Sequence, residues 1–204
     1  MDMSKSYRAA FEEYLPEVDI VFDRFHVMQI VNKAVDRVRK NQQKALDKEG
    51  IKTLKGGRFL PLWNFENLNP LKQERLKSML EANEPLFIIH SMKEQLRLLW
   101  NQPNEEKARR FLSDWILEAI SVVNEFAPLY GKSALAPLKG LAFTLMRHHR
   151  GILNYFRHFI TNGKAEGINN KIKTLKRQAY GYRDMEYFKL RLHHLHKQKH
   201  QLVG

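Results

Sequence analysis

The chain has 204 residues, 43% of them hydrophobic and 28% charged, and its 35 Lys and Arg against 22 Asp and Glu give a formal net charge of +13. That composition fits one or two compact units, excludes an unstructured polar tail, and favours a polyanionic partner, nucleic acid ahead of an anionic membrane surface. The absence of cysteine excludes disulfides and thiolate metal sites, and charged residues interrupt every apolar run, so no spanning helix is expected.

Met1 is followed at once by acidic and polar residues rather than by a signal-peptide pattern, and a bacterial cytoplasm is the expected location. From Ser4 to Leu15, apolar residues at helical spacing predict a short helix ended by Pro16. The β-branched run Val18 to Phe22 predicts one short strand near the N-terminus, closed by Asp23. From His26 to Lys48, Val27, Ile30, Val31, Ala34, Val35 and Val38 line one face of a long amphipathic helix stopped by Gly50.

Gly56, Gly57 and Pro61 break periodicity and predict a loop over 52–68, whose Phe59, Leu60, Leu62, Trp63 and Phe65 are expected to pack down onto a helix. Asn69 before Pro70 is a helix start, the amide capping and the proline at the first helical position. Helices are predicted over 70–82, 84–101, 104–126 and 134–160, the last bent near Gly151, then over 165–179 and 184–199 beyond an Asn162-Gly163 turn. A lone strand cannot satisfy its own backbone groups, so an N-terminally truncated domain is expected.

Three places carry candidate chemistry. In the helix read as AEGINNKIKTLKR from Ala165, steps of three and four residues put Glu166, Asn170, Lys173 and Arg177 on one face, opposite Ile168, Ile172, Leu175 and Ala179, which are expected to be buried. Between Lys164 and His200 stand ten Lys or Arg against three acidic residues, interleaved with Tyr180, Tyr182, Tyr187 and Phe188. Cations neutralise phosphates and aromatic rings stack on splayed bases, so this segment is read as a nucleic-acid surface. Second, Asp23 and His26 stand at the junction of strand and helix, where they either face a common site or act as a cap and a packed histidine. Third, Asp2 precedes a helix and fits an ordinary cap. Trp100 and Trp115 are read as core, Gly56-Gly57 as a turn, and His148, His149, His193, His194 and His196 as solvated or DNA-facing rather than zinc ligands.

The Asp2-Met3-Ser4 string, the DRFHV of residues 23–27 and the TNGKAEGINNKIKTLKRQAYGYRDMEYFKLR of residues 161–191 resemble the ISL-three group of bacterial insertion-sequence DDE transposases. The resemblance implies a mainly α chain. It would comprise part of an RNase H-like α/β catalytic core (1–25), a large all-helical insertion (26–160), and C-terminal core helices (161–204) with a DNA-facing surface. It also implies Asp2 and Glu166 as catalytic, metal-binding carboxylates, Asp23 and His26 as an accessory motif, and Lys164, Asn170, Lys173, Lys176, Arg177, Tyr182 and Arg183 as DNA-binding residues. The implied cofactor is Mg2+ or Mn2+, since two hard cations held by carboxylate oxygens activate a nucleophile and stabilise the leaving oxygen of an in-line phosphoryl displacement. The implied partners are terminal-repeat DNA and further transposase chains, in homo- or mixed oligomers, with no membrane. The family's first Asp has no counterpart in the chain, so little or no strand transfer is expected from it alone. A stand-alone DNA-binding protein, or an inhibitor of full-length transposase, is the alternative reading.

Overall fold

The computed structural model describes residues 5–51, 53–161 and 163–197, with the side chains of 5–8, 12, 164–166 and 195–197 left aside. It is mainly helical. The helices are α1 (Lys5–Tyr14), α2 (Arg24–Lys48), α3 (Pro70–Glu81), α4 (Glu84–Arg97), α5 (Glu105–Tyr130), α6 (Ala136–Leu153), α7 (Tyr155–His158), α8 (Gly163–Gln178) and α9 (Met185–Lys197), with short 3-10 turns between α2 and α3 and after α4. Two units are distinct, one up to Ile160 and one from Thr161 onward.

In the first unit, α6 packs against α2 and α5, and α2 packs in turn against α4. The periodicity that predicts these helices also builds the core. Val27, Val31, Val35 and Val38 of α2 meet Leu86, Ile89 and Leu96 of α4, Leu112 and Trp115 of α5, and Leu138, Leu141 and Leu145 of α6 in one buried cluster. Short polar side chains start the helices, as expected at Asn69, whose Oδ1 accepts from Lys72 N at 3.0 Å. Asn83 and Asn104 do the same for α4 and α5. Trp115 lies in the core and donates from Nε1 to Met92 O at 2.9 Å. Trp100 is buried too, stacked on Phe156. Among the described residues no helix is long and apolar enough to cross a membrane.

Four expectations need correction. Val18–Phe22 is not a strand, and no strand occurs among the described residues. Its backbone groups bond to a helix instead: Phe22 N donates to Gly151 O at 2.8 Å, and Asn154 Nδ2 donates to Ile20 O at 3.0 Å. The break expected near Gly151 falls at Asn154, between α6 and α7. Gly151 serves close approach, since a Cβ there would stand 2.4 Å from the Phe22 ring. In the loop after α2, Phe59 and Trp63 remain more than half exposed instead of packing down. The loop is held from beneath by Lys93, whose Nζ donates to Pro61 O at 2.9 Å and Trp63 O at 2.8 Å.

The second unit is an α8–α9 pair around a small aromatic cluster. Tyr182 packs on Phe188 with ring centroids 4.8 Å apart, and Lys176 Nζ sits 5.0 Å from the Phe188 ring centre. Here lies the fourth correction. On the face of α8 expected to be buried, Leu175 alone is, while Ile168 is 43% exposed and Ala179 is also exposed, because Phe188 is the one buried side chain α9 supplies among the described residues.

Candidate nucleic-acid interface

The α8–α9 unit is built to expose cations. Between Gly167 and Arg183 the sequence holds no Asp or Glu but five cations, Lys171, Lys173, Lys176, Arg177 and Arg183. All five are exposed, as is Asn170. Asp184 is spent as the α9 cap, accepting from Glu186 N at 2.9 Å and Tyr187 N at 3.0 Å. The turn that joins the helices has Gly181 N bonded to Lys176 O at 3.0 Å, with Tyr180 at φ 51° and Gly181 at φ 101°. A tyrosine in the left-handed region is uncommon, and this one is fully exposed, its ring standing clear in the middle of the basic segment. Tyr182, expected to contact DNA, is half-buried, its ring packed on Phe188.

Helical spacing carries the Glu166 backbone on α8 one turn before Asn170, with Lys173 and Arg177 following on the same face. The side chains of Glu166 and Lys164, and the whole of Asp2, lie outside the described residues, as does the His196 side chain.

At the Asp23–His26 pair the cap is observed and the imidazole stands beside it. Asp23 caps α2, its Oδ1 accepting from Phe25 N at 2.7 Å. The same oxygen stands 3.9 Å from His26 Nδ1, which is beyond hydrogen-bond length, and that ring nitrogen is buried with no hydrogen-bond partner. The extended segment before Asp23 is tied down at Asp19, whose Oδ2 meets His158 Nε2 at 2.9 Å and Arg157 Nη1 at 3.4 Å. The His158 hydrogen bond, with the charge of Arg157 behind it, holds the Asp19 carboxyl below its ordinary pKa. Asp23 and His26 therefore sit at a braced junction, Asp23 buried and His26 part-buried.

Among the described residues no three His, Cys, Asp or Glu side chains converge as metal ligands. Asp23 is engaged as a cap and has one imidazole beside it, so the described residues by themselves do not fit a two-metal centre.

One polar cluster lay hidden in the helical pattern. Lys93 is 1% exposed, with Glu94 Oε1 2.8 Å from its Nζ, and His90 beside it is also buried. Burial, reinforced by the Lys93 charge, pushes His90 down to about 4. Lys93 and His90 fall on the apolar face of α4 when the helix is drawn as a wheel, which is the one signal that could have marked them.

A helical protein with a basic, aromatic-studded C-terminal pair and a braced Asp-x-x-His junction defines a class that comparison with known families makes specific. A family described as Transposase, the DDE transposases of the ISL3 group, matches residues 1–192. The chain belongs to this family. It is 34% identical over 195 residues to the transposase for insertion sequence element IS1001 of Bordetella parapertussis, an alignment that covers 94% of this chain and 45% of that protein. It is also 26% identical over 147 residues to the transposase for insertion sequence element IS1557 of Mycobacterium tuberculosis, covering 72% of this chain and 30% of that one. The chain thus spans less than half the length of the curated relatives it matches. No solved structure matches it.

Proposed function

We propose that the chain forms the C-terminal part of the catalytic region of an insertion-sequence transposase and presents its α8–α9 surface to the ends of the element. The observation that carries this reading is the carboxylate-free stretch from Gly167 to Arg183, inside the matched family region, with five exposed cations. Glu166 at the start of that stretch is the last metal-binding carboxylate, Asp2 another, and Mg2+ or Mn2+ the ion they would hold. Residues 1–25 belong to an RNase H-like core that the rest of the transposase completes. Residues 26–160 form the insertion, and 161–204 return the chain to the core. Asp23 and His26 support the reacting centre from the edge. DNA strand cleavage and transfer belong to the whole assembly; the chain alone binds without cutting.

The test is binding of the purified chain to duplexes carrying the element's terminal repeats, across salt and with or without Mg2+. Affinity should fall steeply with salt, with a log–log slope of about −0.9 for each phosphate the protein neutralises, and should not need the metal. Failure to bind, or Mg2+-dependent cleavage by the chain alone, would refute this assignment.

A second reading rests on the uncovered apolar side chains of the same unit. Ile168, Tyr187 and Leu190 are 43%, 52% and 66% exposed, a surface suited to mixed oligomers with full-length transposase. In that role the chain lowers transposition when co-expressed with the intact enzyme.

A further inference from the structure

From Phe126 to Ala165 the chain contains no Asp or Glu, and α6 runs through the middle of that stretch. Two clefts flank the N-terminal half of α6 and share Ala136 and Gly140 as their common wall. One, of about 660 Å³, lies between α2 and α6 and is lined by Lys33, Arg37, Asn41 and Thr144. The other, of about 760 Å³, lies between the end of α5 and α6 and is lined by Lys132 and Lys139. No carboxylate lines either cleft.

Several other cations of this unit are neutralised by ion pairs. Arg39 and Lys40, on the same helix as Lys33 and Arg37, share Asp36, and Arg109, Arg110 and Arg157 pair with Glu105 or Glu106. Among the described residues Lys33, Arg37, Lys132 and Lys139 have no ion pair. Four like charges gathered around one bare helix face repel one another unless an anion lies between them. They occupy both sides of a ridge, and Lys33 and Arg37 follow each other one turn apart, about 6 Å along the axis. An extended polyanion meets such a double row, whereas a small anion reaches one side of it.

The geometry points to a second DNA-backbone track, on the helical insertion, in which a phosphodiester strand lies over Gly140 with Lys33 and Arg37 on one side and Lys132 and Lys139 on the other. This inference rests on the reading of the chain as part of a DNA transposase.

Gly140 makes the track testable without disturbing the fold. A Cβ there meets nothing within 4 Å and its φ is not positive, so a side chain fits, and replacing a helix-interior glycine favours the helix. In the full chain, Gly140→Glu should keep or raise Tm while weakening binding to terminal-repeat duplex about tenfold or more at low salt, and Gly140→Ala should bind like the parent. The double variant Lys33→Glu/Arg37→Glu should flatten the log–log salt slope by about 2, the share of two phosphates. Lys173→Glu/Arg177→Glu serves as the independent arm for the α8 surface. If that arm weakens binding while Gly140→Glu and the α2 pair retain parental affinity and slope, the track is overturned and the proposed function stands. If the parent binds no DNA, the proposed function fails and the track with it. Binding of polyglutamate or phosphatidylserine vesicles through the cleft, with no effect of its variants on DNA, overturns the track as well.

Discussion

Helices α2, α4, α5 and α6 hide their apolar faces against one another, whereas α8 and α9, among the described residues, bury Leu175 and Phe188 alone. The larger unit closes a core that supports its own stability. The smaller one spends its surface on exposed cations and a left-handed, fully exposed Tyr180. Burial scales with the number of apolar partners, so a two-helix pair has little to set against the entropy of ordering its chain. The difference separates a scaffold stabilised by its own core from a surface that any ligand of its ordered form would stabilise.

The comparison can be broken most forcefully in the core. Trp115→Ala removes a side chain that is 2% exposed and its hydrogen bond to Met92 O, and should cost about 3–5 kcal/mol in denaturant unfolding. Phe188→Ala attacks the corresponding point of the small unit. It should cost about 1–3 kcal/mol of local stability, read as weaker amide protection in α8 and α9, and added DNA should restore protection to the parent's pair.

A pH titration sharpens the scaffold side. His90 is held neutral in the fold down to about 4, against 6.5 when exposed, so the unfolded chain binds the extra proton between those values. The stability contributed by neutral His90 is complete above pH 6.5 and is lost as pH falls toward 4, by about 1–3 kcal/mol. His90→Leu should flatten that limb of the stability curve.

The smallest effect belongs to Asp23. Asp23→Ala should cost about 1 kcal/mol through removal of the cap. Asp23→Asn, which keeps an accepting oxygen without the charge, should recover most of it. If transposition by the complete enzyme fails with Asn as it does with Ala, Asp23 has a role beyond capping.

Much of this architecture was legible in the residues because it depends on neighbours three or four positions apart. The valines of α2, the Asn69-Pro70 start and the Asp23 cap are local patterns, and each predicts the element found. The resemblance carried by residues 161–191 likewise led to the family without any knowledge of packing. The Val18–Phe22 run misled because β-branched residues favour extended backbone wherever hydrogen-bond partners can be found, and the partners here are Gly151 and Asn154, far along the chain. For the same reason the exposed face of α8 could not be read from its spacing, since periodicity shows which residues share a face and not what covers it.

The sequence by itself determined the helices, the basic C-terminal segment and the family, all consequences of short-range spacing and residue chemistry. Tertiary structure alone decided that Lys93 is buried beneath a loop, that Asp23 and His26 stand 3.9 Å apart, and that Lys33, Arg37, Lys132 and Lys139 gather around Gly140. Burial, and the company a charge keeps, depend on which distant segments pack together, and helical period carries no record of that.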